Sequence, residues 1–186
     1  MAIILASASP RRKELLSFIT EDFTVSVSDA DETTDPSKTP EETVKELARI
    51  KGEAVFPKVP DDTVIAADTV VVIDDKILGK PADKEDAFAM LRALSGRSHY
   101  VYTGVFVKSK DKEISFAEKT EVRFFDLSDE EINGYIATNE PFDKAGAYGI
   151  QGKGSILISS ISGDYFNVVG LPVARLNREL KKHGLI

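Results

Sequence analysis

The stretch Thr63–Ile73, TVIAADTVVVI, constrains the fold more than any other part of the chain. It is a run of β-branched and small apolar residues, interrupted at Asp68 and Thr69. Strict alternation would mark a strand with one wet face; a continuous run marks a strand covered on both faces. Helices cover both faces of a sheet in α/β domains, and that is the class read here.

The remaining elements fit around that strand. Met1–Ala6 reads as a short buried strand. Ser9 is a natural N-cap and Pro10 suits the first helical position, so a helix is predicted over 10–19, with Leu15, Leu16 and Ile19 inward. FTVSVS, 23–28, alternates like a strand, and 29–38 is an acidic loop. Thr39 and Glu42 form a capping box for a helix over 40–55 with the stripe Val44, Leu47, Ala48, Val55. After the turn DDK comes a short strand ending at LGKP, then a helix over 83–95 that stops at Gly96. SHYVYTGVFVKS and EISFAEKTEVRFF form a hairpin turning at Asp111–Lys112. Ser128 and Glu131 cap a further helix, and 143–155 is a glycine-rich loop. ILISSIS and YFNVVG are predicted to pair as strands around Gly163–Asp164, and the last helix covers 172–182. Long hairpins break any regular βαβ alternation. The expected fold is therefore a mixed twisted sheet flanked by helices. Residues 1–186 form one domain of two lobes with a cleft, the smaller lobe drawn from about 75–130.

Composition narrows the function. Of 186 residues, 24 are Lys or Arg and 31 Asp or Glu, giving a net charge of -7. An acidic surface argues against a nucleic-acid partner. Any anionic ligand needs a local basic cluster or a metal ion. Without cysteine, thiolate nucleophiles, disulfides and zinc–cysteine sites are excluded. Two histidines, His99 and His183, give little support to a Ser–His–Asp triad. The apolar stretch Ile3–Ala6 is too short for a signal-peptide core, and nothing approaches the roughly 20 apolar residues of a membrane span. The expected location is cytoplasmic.

Four places break the structural pattern. Ser7–Arg12 puts Arg11 and Arg12 at a helix start, where the macrodipole is already positive. Small residues and open backbone N–H groups there suit an anion, and the arginines add phosphate-shaped donors. The alternative is a pair of surface arginines facing the acidic loop. Asp68 lies in an apolar strand, where a carboxylate must be paired, hydrogen-bonded or metal-bound; the alternative is a structural aspartate capping a nearby helix, and Thr69 points to the opposite face. Lys51 falls on the apolar stripe of helix 40–55, either snorkelling or reaching a ligand. Lys80, in GKP, sits on extended backbone. In DKAGAYGIQGKG the glycines permit close approach to a ligand, and Gln151 offers both a donor and an acceptor; the alternative is a long flexible turn, and Tyr148 reads as core rather than as a ring that stacks on a ligand. Cations, one buried carboxylate and a planar amide suit metal-assisted chemistry on a nucleotide phosphate.

LASASPRRKELL, AADTVV, LGKP, LSGRSH, DKAGAYGIQGKG and GDYFNVVGLP, in this order from residue 5 to 172, resemble the Maf family of nucleoside triphosphate pyrophosphatases. The resemblance implies a Maf/ITPase-like fold and hydrolysis of a nucleoside triphosphate to the monophosphate and pyrophosphate, with Mg²⁺ or Mn²⁺. It implies Asp68 as proton acceptor, and Arg11, Thr69 and Gln151 as marks of the branch that prefers dTTP and UTP. On that reading Ser7, Ser9, Arg11, Arg12, Lys51 and Lys80 bind phosphates, and Asp68 with Glu32 holds the metal. The purpose would be clearing unwanted nucleotides. The alternative is a nucleotide-binding regulator of septum formation that needs no catalysis. The partners expected are the nucleotide substrate and, optionally, a second copy as a homodimer, but no nucleic acid and no membrane.

Overall fold

The computed structural model describes residues 2–30 and 32–186. Met1 of the predicted first strand and Asp31 of the acidic loop lie outside the described residues. The elements run β1 (Ile3–Leu5), α1 (Pro10–Ser17), β2 (Phe23–Val25), α2 (Pro40–Val55), β3 (Thr63–Ile73), β4 (Lys76–Leu78) and α3 (Lys84–Leu94). They continue with β5 (Ser98–Lys108), β6 (Glu113–Phe124), α4 (Asp129–Ile136), β7 (Ile158–Ser162), α5 (Tyr165–Val169) and α6 (Val173–Lys182). Short 3₁₀ turns fill the glycine-rich region. Among the described residues the strands form one mixed sheet in the order β2-β1-β3-β5-β6-β7, with β4 on β3. β1 runs parallel to β2 and β3, whereas β4 and β7 pair antiparallel.

The chain divides into two compact units. One contains the chain up to Thr69 with Thr103–Glu118 and Gly170–Ile186; the other contains Val70–Tyr102 and Lys119–Val169. In the first, Ile4, Ala6, Ala48, Val55, Val64, Ala66 and Phe106 form a core. Helix α2 begins with the predicted capping box: Thr39 Oγ1 accepts from the Glu42 amide and the Glu42 carboxylate accepts from the Thr39 amide. It lies close against β5, because Gly104 leaves no room for a Cβ against the Val44 carbonyl and Gly52 leaves none against the Phe106 ring. In the second unit Leu91, Leu94, Val101, Val122, Phe124, Ile132 and Leu157 belong to a separate core. Strand β3 turns into β4 through Asp74 and Asp75, both at positive φ (49° and 59°), as the tight primed hairpin turn requires.

Two expectations need correction. YFNVVG does not pair with ILISSIS: Tyr165–Val169 is a short helix, and β7 pairs with β6. The reason is polar. Asp164 Oδ1 accepts from the Phe166 amide at 2.8 Å, opening a helical turn. That turn carries Asn167 inward, where its amide donates to the Val101 carbonyl (3.1 Å) and Thr120 Oγ1 (2.9 Å). These bonds outweigh the strand preference of Val168 and Val169. Strand β2 is also shorter than 23–28, since three residues pair with β1.

Candidate active site

In the first unit, β1 delivers the chain to Ser7, which is buried, and Ser9 caps α1 with its hydroxyl accepting from the Arg12 amide at 3.4 Å. Arg12 is gripped by three neutral oxygens. Its Nε donates to the Gly170 carbonyl (2.9 Å), Nη1 to Ser7 Oγ (3.4 Å) and Nη2 to Thr69 Oγ1 (3.1 Å). Thr69 is itself bonded to Thr103 Oγ1 at 2.9 Å. Burial lowers the pKa of the Arg12 guanidinium, an effect that the nearby Asp68 opposes and Arg11 reinforces. Among the described residues no carboxylate forms an ion pair with Arg12. A fixed guanidinium with spare donors, and with no paired carboxylate among the described residues, is suited to an anion. Arg11, half-buried, lies beside it on the first turn of α1.

The strand alternation at Asp68–Thr69 holds: Thr69 meets Arg12, and Asp68 meets α2. The Lys51 ammonium lies 2.5 Å from Asp68 Oδ1 and 3.1 Å from Glu32 Oε2. Asp68 is 9% exposed. Lys51 therefore neither snorkels nor stands apart on the stripe; it is the cation on which two carboxylates converge. The close seating of α2 through the neighbouring Gly52 sets its position. Among the described residues no cluster of three or more His, Cys, Asp or Glu is arranged to hold a metal ion.

Lys80 and Gln151 belong to the second unit. Lys80 is exposed, after β4 and before the buried Pro81. The preceding Gly79 carbonyl accepts from the Gly146 amide at 3.0 Å, which ties the LGKP stretch to the glycine-rich loop. Gln151 is half-exposed, and among the described residues no hydrogen bond holds its amide. Tyr148 is core, as read from the sequence: its hydroxyl meets His99 Nε2 at 2.7 Å, and its ring packs edge-on against Phe124 and His99. Burial pushes His99 down to about 4.

Two groups around Arg12 had not been singled out. Thr103 was detectable as a hydroxyl inside the apolar run of β5, but its partner was not. Gly170 contributes a carbonyl, for which residue identity gives no signal.

The family described as Maf-like protein matches residues 2–183. A relative from Bacillus cereus named dTTP/UTP pyrophosphatase is 52% identical over 180 residues, covering 97% of this chain and 94% of its own. A Bacillus anthracis relative of the same name is 51% identical over 183 residues, covering 98% and 96%. Among solved structures, a HAM1 protein from Coxiella burnetii superposes with a TM-score of 0.52 at 14% identity, covering 97% of this chain and 98% of that one. The last likeness is one of fold. With a family match spanning nearly every residue and relatives identical at half their positions, the chain belongs to the Maf-like protein family.

Proposed function

We infer that this protein is a nucleoside triphosphate pyrophosphatase acting on dTTP and UTP, the activity named for its relatives at about half identity over nearly full length. The observation that carries the reading is the buried Asp68, salt-bridged to Lys51, one residue from the Thr69 that steadies Arg12. Catalysis at phosphorus needs fixed positive charge and a carboxylate to take a proton, and here both are anchored on β3 and its neighbours.

The reaction is one of anhydride hydrolysis. The oxygen of a water bonds to the α-phosphorus, the bond from that phosphorus to the α–β bridging oxygen breaks, and pyrophosphate leaves. Asp68 accepts the water's proton. Arg12, held by three acceptors, presents its remaining N–H groups to phosphate oxygens without reorganising. Ser7, Ser9 and Arg11 complete the phosphate-binding end. Lys51 holds the Asp68 carboxylate in place and offsets charge on the leaving pyrophosphate.

The residues fit a divalent cation in kind. Asp68 and Glu32 are hard oxygen donors, and they already converge on one positive charge, the Lys51 ammonium. Two protein carboxylates with water and phosphate oxygens match the way Mg²⁺ is commonly held. When bound, Mg²⁺ or Mn²⁺ supplies charge that offsets the build-up on the phosphate oxygens. Gln151 reads the base: its amide can accept from N3–H of thymine or uracil and donate to the adjacent carbonyl. No helix among the described residues is long and apolar enough to cross a membrane. The proposed substrates, free nucleoside triphosphates, are the ground on which we place the activity in the cytoplasm.

Purified protein with Mg²⁺ or Mn²⁺ should convert UTP and dTTP to monophosphate and pyrophosphate, resolved by anion-exchange chromatography. Nucleoside diphosphate and inorganic phosphate as products would place the cleavage at the β–γ anhydride and overturn this mechanism. Unchanged nucleotide with every metal would leave a binding protein.

A further inference from the structure

We propose that Glu140 is a positioning residue for pyrimidine recognition, its carboxylate and the Tyr135 phenol clamping the backbone on both sides of Gln151. The inference rests on the reading of Gln151 as the amide that meets the base, and it lies wholly within the second unit.

The clamp is a set of main-chain bonds. Glu140 Oε2 accepts from the Lys153 amide at 3.0 Å, and Oε1 accepts from the Gly154 amide at 3.1 Å. The Tyr135 hydroxyl donates to Glu140 Oε1 at 3.1 Å and accepts from the Gly149 amide at 3.1 Å. The residues two before Gln151 and two and three after it are thus tied to one carboxylate–phenol pair. Their glycines are explained by the same pair. Gly152 has φ 68°, and a Cβ there would stand 2.9 Å from Glu140 Oε2. A Cβ on Gly154 would stand 2.8 Å from the Tyr135 hydroxyl and collide with the Gly149 carbonyl. The main chain wraps around the two side chains closely enough to exclude other residues. Glu140 is braced in turn: Lys144 Nζ donates to its carbonyl (2.7 Å), and Thr138 Oγ1 accepts from its amide (3.2 Å). Burial disfavours the charged Glu140, but the Lys153 and Gly154 amides, the Tyr135 hydroxyl and Lys144 outweigh it, and its pKa falls below the ordinary value.

Such an arrangement has a consequence for specificity. A flexible loop lets a glutamine amide turn over and accept cytosine as readily as uracil. A backbone fixed on both sides holds the Gln151 main chain in one place, so the amide cannot shift along the base to re-form its bonds with cytosine, and discrimination depends on that limit. Glu140 does this at a distance: its carboxylate is taken up by the Lys153 and Gly154 amides and the Tyr135 hydroxyl.

The test compares wild type, Gln151→Ala, Glu140→Ala and the double variant, with kcat/KM for UTP and CTP and amide hydrogen exchange over 149–154. Glu140→Ala should speed exchange at Gly149, Lys153 and Gly154 by about tenfold or more. It should shrink the UTP-over-CTP ratio about fivefold or more, toward the value of Gln151→Ala, and add nothing further in the Gln151→Ala background. Glu140→Gln, which keeps an acceptor oxygen, should recover part of the ratio. If Glu140→Ala is poorly folded, Glu140→Gln and Tyr135→Phe carry the same comparison. Unchanged exchange overturns the clamp. Faster exchange with a wild-type ratio, while Gln151→Ala still collapses it, overturns the specificity role and leaves the base reading standing. A wild-type ratio in Gln151→Ala itself shows that the base is read elsewhere, and the inference falls with that reading.

Discussion

At the scale of single residues, Asp68 and Lys51 stood out in the sequence for the same reason: each is a charge at a position that periodicity assigns to the interior. That they meet was not legible, because 17 residues and a turn of helix-to-strand geometry separate them. Arg12 was legible as a candidate anion ligand, but not that Gly170, 158 positions away, would hold its Nε. Glu140 carried no signal at all, since its carboxylate is taken up by two main-chain amides and the Tyr135 hydroxyl, none of which its own residue type or position announces. The pairing of Lys51 with two carboxylates sharpens what a substitution at Asp68 does. Asp68→Asn keeps the volume and a hydrogen-bond acceptor for Lys51 but loses the proton-accepting charge. Turnover should fall about 10²- to 10⁴-fold. Pyrophosphate release checks this, with circular dichroism confirming the fold. Activity above a tenth of wild type would remove Asp68 from the chemistry.

At the scale of elements, local signals were reliable where they were complete. Helix α2 spans Pro40–Val55 and β3 spans Thr63–Ile73, both as predicted, because a capping box and an apolar, β-branched run broken only at Asp68 and Thr69 are encoded within the elements themselves. Helix α5 was misread because its fold-determining bonds, from Asn167 to Val101 and Thr120, are long-range. The seating of α2 on β5 is likewise tertiary, and it makes a graded prediction. Gly52→Ala gains about 1 kcal/mol of helix propensity, yet its Cβ meets the buried Phe106 ring. Gly104→Ala gains nothing comparable and meets the Val44 main chain, which cannot rotate away. Overpacking typically costs about 1–3 kcal/mol, so Gly104→Ala should be clearly destabilised and Gly52→Ala much less. Urea unfolding gives the order, and kcat should fall with Gly104→Ala as α2 and its Lys51 shift from Asp68. Equal stability of the two variants would mean that helix and strand are not held at this distance.

At the scale of the whole molecule, stability should depend on pH through one buried ring. His99 is 1% exposed and its folded pKa is about 4, against about 6.5 for an unfolded histidine. Between these values the unfolded chain binds a proton that the folded chain does not. Stability is therefore complete above about pH 6.5 and declines as the pH falls toward 4, by about 3 kcal/mol in full. Two other effects accompany acidification. The net charge of -7 shrinks in magnitude, which relieves repulsion and acts in the opposite direction. Those charges lie largely on the surface, where about 0.15 M salt screens them within about 8 Å, whereas a buried imidazole is not screened. Glu42 and Glu131 are held below their ordinary range, chiefly by hydrogen bonds from Thr39 and Ser128. Their contribution is lost only below the unfolded carboxylate range, near pH 4, so the two windows separate. Urea unfolding at 0.15 M salt should accordingly give a free energy that drops from pH 7 to pH 5 in the wild type. His99→Gln keeps a polar partner for the Tyr148 hydroxyl and cannot titrate, so its stability should stay level over the same interval whatever its absolute value. An identical slope in both proteins would trace the acid sensitivity to surface carboxylates instead of to this ring.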